Sequence, residues 1–275
     1  MDWPRITRRL FLFLTGTLFA KFGLGRAGTE PDNQALSASE ILQRMAETYA
    51  KCKSYQDSGC ATINFIQDDG QHTDSTPFST SFVRTGRFRF EFKSSFDGQT
   101  WHRYLVWADG TEIRTWWDIR PGVNQEPSLA LALARATGVS GGSAITVTSL
   151  LLPDSLGGSC LTGLTQLRRL EDAAFEGVDC FRVQGVMLIE IDPAERERLR
   201  QKVLKLTGRI METSEHGPKT LWIEKSTFLL HRIDETTQFE IFRTESRTTY
   251  VPSLNVAIAD SQLSFDPPPN GTSGG

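Results

Sequence analysis

Residues 87–93 read Arg87-Phe88-Arg89-Phe90-Glu91-Phe92-Lys93. Three phenylalanines alternate with four charged side chains. Successive side chains on a β-strand point to opposite faces, so a strand puts all the aromatic surface of this heptad on one side and all its charge on the other. A helix would spread the three rings around its circumference. A strand with one strongly apolar face needs neighbouring strands and a cover, because a bare apolar sheet face is not tolerated in water.

The flanking sequence supplies both. Upstream, Ala61, Ile63 and Phe65 alternate with polar neighbours, Asp68-Asp69-Gly70 breaks the run, and Phe78 and Phe82 frame the next strand. Downstream, Asp97-Gly98 turns into aromatic-rich residues 101–108, and Asp109-Gly110 turns into residues 111–117. Strands resume at 164–174 and 178–186 around Glu176-Gly177, then at 219–225, 228–237 and 239–250, with a short last strand at 262–265. The cover is helical. Ser37 followed by Glu40 makes a capping box, and Ile41, Met45 and Tyr49 fall on one stripe. Residues 121–127 read as loop. Residues 128–137 form a small-residue helix, and residues 143–152 form a second apolar helix that Pro153 stops. Residues 192–206 read as a charged helix inserted between strands, with Asp192 as N-cap and Pro193 at its first position. The fold class is α+β, mainly β: a large curved antiparallel sheet of about ten strands, covered by the first helix and the middle pair.

The bulk numbers agree. The 275 residues are 39% hydrophobic and 23% charged, which suits one globular domain. Residues 1–28 are expected to be an export signal. Arg5, Arg8 and Arg9 precede an apolar run of eleven residues, 10–20, and Arg8-Arg9 followed by Leu10-Phe11-Leu12 resembles a twin-arginine signal. Cleavage near Ala27 leaves 25 basic and 32 acidic side chains, a net charge of −7. So acidic a chain has no electrostatic footprint for nucleic acid. Beyond the signal, no apolar run is long enough for a transmembrane helix. The domain is expected over 29–268, with a disordered tail at 269–275. A periplasmic or otherwise exported location makes disulfides among Cys52, Cys60, Cys160 and Cys180 an expectation, with the pairing left open. The four histidines are scattered with no metal-ligand spacing, and no cofactor is called for.

Two strand stretches carry a family likeness. Thr220-Leu221-Trp222-Ile223-Glu224-Lys225 followed by Phe228-Leu229-Leu230-His231-Arg232-Ile233, and the closing Tyr250-Val251-Pro252-Ser253-Leu254-Asn255-Val256 with Phe265-Asp266-Pro267-Pro268, resemble the outer-membrane lipoprotein-carrier (LolA-like) superfamily. The resemblance spans roughly 37–268. It implies an unclosed antiparallel β-barrel of about eleven strands over lid helices, with an apolar cavity for acyl chains. The chain departs from the pattern in Glu224, where the family usually has Asp, and no motif places the arginine that couples strand to lid in such carriers.

One motif points elsewhere. Gly138-Val139-Ser140-Gly141-Gly142 spells G-x-S-x-G, the nucleophile elbow of serine hydrolases. That elbow needs a strand before the serine, and here a helix precedes it. The competing reading has Gly138 ending the first middle helix at positive φ, Gly141 and Gly142 as a flexible joint, and Ser143 capping the next helix. The cavity wall is expected from Phe78, Phe82, Phe88, Phe90, Phe92, Trp101 and Trp107. The lid and hinge are expected from Leu129, Leu133, Gly138, Gly141, Gly142, Leu150 and Leu151. The function expected is a non-enzymatic carrier or binding protein for a lipid or lipidated partner, with an envelope receptor for hand-over. An envelope sensor or protein-interaction module on the same fold is the alternative, and a hydrolase centred on Ser140 the second.

Overall fold

A computed structural model describes residues 36–68, 70–95, 97–187, 197, 198, 201, 215–239 and 242–268. The expected export segment, nearly all of the charged helix and the tail 269–275 lie outside the described residues.

The sheet is built from β1 (Ser54–Gln67), β2 (Gly70–Val83), β3 (Arg87–Ser95), β4 (Trp101–Asp109), β5 (Ile113–Trp117), β6 (Arg120–Glu126), β7 (Thr165–Phe175), β8 (Val178–Val186), β9 (Glu215–Glu224), β10 (Leu230–Gln238), β11 (Arg243–Tyr250) and β12 (Ser253–Leu254). These twelve strands make one antiparallel sheet in the order β6-β5-β4-β3-β2-β1-β11-β10-β9-β8-β7, with β12 on β1. It is not closed into a barrel: β6 and β7 stand at its two ends. The helices are α1 (Ala38–Lys51), α2 (Leu129–Thr137), α3 (Ser143–Leu151) and α4 (Pro153–Leu156).

Register fixes the two faces. Phe88, Phe90 and Phe92 stand opposite Phe82, Thr80 and Phe78 of β2 and opposite Ala108, Val106 and Tyr104 of β4. This inner face continues through Tyr55 on β1, Tyr250 on β11 and Leu221, Val183 and Phe181 beyond. All of these except Thr80 join one apolar core with α1, α2 and α3. The outer face carries Arg87, Arg89, Glu91 and Lys93 and, on β4, Leu105 and Trp107.

The helices start where their caps dictate. The Ser37 N–H donates to the Glu40 carboxylate at 2.8 Å, and the Glu40 N–H donates to Ser37 Oγ at 3.3 Å. The α1 stripe of Ile41, Met45 and Tyr49 is fully buried. In α2, Ser128 Oγ accepts from the Leu131 N–H at 3.2 Å.

Four sequence expectations change. Residues 120–126 are strand rather than loop; β6 is an end strand, where a proline such as Pro121 leaves no ladder bond unmade. Residues 262–265 are not strand: a 3-10 turn covers Asp260–Gln262, and Phe265 packs on the outer face. Pro153 ends α3 but also opens α4, at a position where its missing N–H costs nothing. All four cysteines are free thiols. Cys60 and Cys180 lie on the outer face with β11, β10 and β9 between their strands, a separation of about 19 Å at sheet spacing, far beyond disulfide reach. Cys52 and Cys160 belong to the opposite, helix-covered side.

Candidate functional site

The inner face is an aromatic lane. Tyr250 meets Phe78 edge-on at 5.4 Å, Phe78 meets Phe90 at 6.1 Å, and Phe90 meets Phe92 at 6.1 Å. Phe92 stacks on Tyr104 at 5.3 Å, and Tyr104 meets Trp117 edge-on at 5.6 Å. Such offset and edge-on pairs add cohesion beyond their buried area. Alternation alone placed five of the lane's rings on adjacent strands; only pairing register brought them into one row.

The five expected phenylalanines all lie on this face, and their exposures run from 0% to 5%. Phe82, Phe90 and Phe92 are all at 0%. The lane is therefore closed by its helices in this structure. Trp101 and Trp107 do not join it. Both project from the outer face: Trp101 is 50% exposed, and Trp107 packs with Leu105, Trp116 and Phe265 in a separate small cluster. The alternation in β4 put them there, and composition alone had grouped them with the phenylalanines. Open space lies on the outer face as well, in a groove of about 540 Å³ whose walls include Thr62, Asn64, Thr220, Arg232, Asp234 and Arg247. It is polar and unlike an acyl site.

Three arginine ties hold the cover down. Arg84, just past the end of β2, donates from Nε to the Cys52 carbonyl (3.0 Å) and from one terminal nitrogen to the Tyr49 carbonyl (2.9 Å). Its other terminal nitrogen donates to the Leu151 carbonyl at 2.6 Å. One guanidinium thus bonds carbonyls at the C-terminal ends of both α1 and α3, the region of a helix where carbonyls lack i+4 partners. Its carbon lies 4.8 Å from the Phe82 ring centre. At the other end of α1, Arg169 on β7 donates to the Leu36 carbonyl at 2.7 Å. Arg135 of α2 bonds the Glu126 carboxylate at 2.6 Å. None of these ties was legible in the sequence, because each joins segments 9 to 133 residues apart through a side chain in no motif.

Of the expected lid residues, Leu133, Leu150 and Leu151 are buried in the core and Leu129 packs against it. The joint between α2 and α3 differs from expectation. Gly138 has ordinary helical φ of −65°. Positive φ falls on Gly141 (+61°) and Gly142 (+84°). A Cβ at Gly141 would lie 3.0 Å from the Ala61 side chain, so this turn is seated on β1 rather than hanging free.

Ser140 is not presented as a nucleophile elbow would present it. It is 0% exposed, follows a helix, and its hydroxyl is 3.3 Å from the Thr137 carbonyl while accepting from the Ala144 N–H at 3.2 Å. Its bond to the first turn of α3 does the capping expected of Ser143, whose own hydroxyl donates back to the Ser140 carbonyl at 2.7 Å.

At the centre of the inner face sits a buried carboxyl. Asp57 accepts from the Tyr55 hydroxyl (2.6 Å) and from the Thr80 N–H (2.7 Å). Burial pushes its pKa up to about 6, against the pull of those two bonds. The Tyr49 hydroxyl nearby accepts from the Leu230 N–H at 3.0 Å.

No family model and no curated protein matches the chain. Solved structures do. LprF from Mycobacterium bovis is similar at 15% identity and a TM-score of 0.41, over 81% of this chain and 94% of that one. LppX from Mycobacterium tuberculosis is similar at 10% identity and a TM-score of 0.38, over 81% and 97%. A LolA superfamily protein from Nitrosomonas europaea is similar at 11% identity and a TM-score of 0.33, over 84% and 99%. At these identities the likeness says nothing of what this chain binds.

Proposed function

We propose that residues 29–268 form an exported, non-enzymatic carrier or binding protein. It takes an acyl chain, from a lipid or a lipidated partner, between the aromatic lane and helices α1–α3. The observation that carries this reading is the Arg84 clasp: one exposed side chain holds the ends of two helices over a continuous aromatic surface. These bonds are open to competition from water, so a change of surroundings can release them and free both helix ends at once. When the clasp opens, α3 lifts from the sheet and an acyl chain replaces it against the phenylalanines. Each methylene buried there contributes roughly 0.8 kcal/mol, so a long chain offsets the separation of helix from sheet. Closure shields the chain from water during transit through the envelope, and reopening at a receptor releases it.

The test is direct. Protein purified from a bacterial envelope is examined by native mass spectrometry and lipid extraction, then titrated with a fluorescent fatty acid. Co-purified lipid or saturable probe binding supports the reading; an empty protein that ignores the probe overturns it. The competing reading, a protein-interaction module, is favoured by the sheet's two end strands, β6 and β7, each of which is paired on one side only among the described residues and so suits strand addition. A partner captured by the full chain whose binding is lost on blocking either edge would support that instead.

A further inference from the structure

An ionisable side chain buried with no opposite charge beside it is costly to a fold and marks a candidate for function. Asp57 is such a group: it is 4% exposed, and among the described residues no cation bears on it. It stands midway along the seat of α3. The turn before α3 rests on β1 at one end, where a Cβ on Gly141 would meet the Ala61 side chain at 3.0 Å. At the other end the Leu151 carbonyl is held by Arg84, whose own backbone N–H bonds the Lys53 carbonyl at 2.9 Å. α3 therefore runs over β1 from Ala61 back toward Lys53, and Asp57 shares the inner face with Tyr55 and Ala61 beneath it. The elements packed around Asp57 meet it with neutral groups. α1 brings Tyr49, β1 Tyr55, β2 Thr80 and β11 Tyr250, with Thr146 of α3 beside the Tyr250 hydroxyl. α3 itself has no ionisable side chain. Burial holds the three phenols above the ordinary tyrosine range, and the Asp57 charge adds to it. The Cys52 thiol acts on Tyr49 and the Cys160 thiol on Tyr250; burial raises both, so they too are neutral.

We propose that Asp57 is a proton switch for the cover: the neutral carboxyl keeps α3 seated, and the carboxylate favours the open form. The inference rests on the carrier reading and supplies the regulation of its site. An ionised carboxyl offers about four acceptor sites. Under the closed cover Asp57 fills two of them, with the Tyr55 hydroxyl at 2.6 Å and the Thr80 N–H at 2.7 Å. Its charge is then balanced by no cation. Lifting α3 admits water to the remaining sites and solvates the charge. A protonated carboxyl needs no such solvation and fits the closed seat. Beneath the cover, burial pushes the pKa up to about 6; open to water, the group returns toward the usual 3.8. The carboxyl thus favours the seated cover fully below about pH 4, and that gain is lost as pH rises through 6. Across pH 5 to 7 the ratio of open to closed cover rises about tenfold, levelling off above 6. Acid therefore holds the ligand in, and neutral pH speeds its exchange.

The experiment loads the full chain with the methyl ester of a pyrene-labelled fatty acid, so that the ligand itself does not titrate. Release into excess phosphatidylcholine vesicles is followed at pH 5, 6 and 7. Wild-type release should quicken about tenfold from pH 5 to 7, with most of the rise below 6. Asp57→Asn, neutral throughout, should release slowly at all three. Tyr55→Phe removes a bond that stabilises the carboxylate, so its rise should move to higher pH. That variant keeps the switch falsifiable if Asp57→Asn does not fold: a rise that stays where the wild type has it counts against the switch. A carboxyl that served only the fold would shift the urea midpoint with pH and leave release unchanged. A wild-type rate that varies less than threefold, or an Asp57→Asn profile that follows the wild type, overturns the switch and leaves the carrier reading standing. A labelled ester that never binds overturns the carrier reading, and the switch with it.

Discussion

Replacing Arg84 by alanine removes three hydrogen bonds that join α1 and α3 to the sheet, at 3.0, 2.9 and 2.6 Å. At about 1 kcal/mol net each they total about 3 kcal/mol. Arg84 is solvent-exposed, and water can take over the freed carbonyls, so about 2 kcal/mol is the better expectation. That corresponds to roughly a 30-fold rise in the population of the open cover. The change is local: the β3–β4 pairing and the phenylalanine row do not depend on the guanidinium. Amide hydrogen exchange resolves this. Protection should fall about 30-fold in the last turns of α1 and α3, while β3 and β4 amides keep theirs. Arg84→Lys should fall between, because a single ammonium on a flexible stem does not span carbonyls on two helices. Exchange and release of a bound fluorescent fatty acid should quicken in the same order. If α3 exchange in Arg84→Ala stays within threefold of the wild type, the clasp is not what holds the cover, and the mechanism argued from it fails.

Asp57 gives a pH test. Its pKa of about 6 lies above the usual 3.8, so the folded protein keeps this proton over a range where the unfolded chain has lost it. Its contribution is complete below about pH 4 and is lost as pH rises through 6. The difference is about 3 kcal/mol, and urea unfolding of wild type against Asp57→Asn at pH 4 and 7 should show it as a slope missing in the variant; parallel profiles would remove the buried-carboxyl argument. Gly141→Ala should lower stability by at least 1 kcal/mol in thermal unfolding, since it combines φ of +61° with a 3.0 Å approach to Ala61; an unchanged midpoint would mean the turn is not seated on β1. Phe265→Ala should cost about 2 kcal/mol by emptying the site between Trp107 and Trp116, yet leave fatty-acid affinity unchanged because that cluster is on the outer face. Thiol titration should find four free thiols in denaturant, with Cys180 silent in the native protein, where burial pushes its pKa up to about 11; a count of two would restore a disulfide.

The legible part of the fold was periodic. The Arg87–Lys93 alternation, the Asp-Gly turns and the Ser37–Glu40 cap each act within a few residues, so α1, α2, α3 and most strands stand where the sequence puts them. β6 was missed because Pro121 and Gly122 mark a loop unless the strand is known to stand at an end of the sheet. Trp101 and Trp107 lie close to the cavity phenylalanines in sequence but at the opposite parity of β4, opposite Ser95 and Arg89, so pairing puts them on the outer face.

By itself the sequence determined a one-faced antiparallel sheet with an aromatic inner surface and helices to cover it, since burial of an alternating pattern admits few other solutions. It also disfavoured a nucleophile elbow at Ser140, because a helix precedes the serine. Only the tertiary structure decided that the aromatic row is shut and that Arg84, Arg135 and Arg169 fasten its cover. Those facts depend on contacts between residues far apart in the chain. Such contacts follow from strand order and register, which no local pattern encodes.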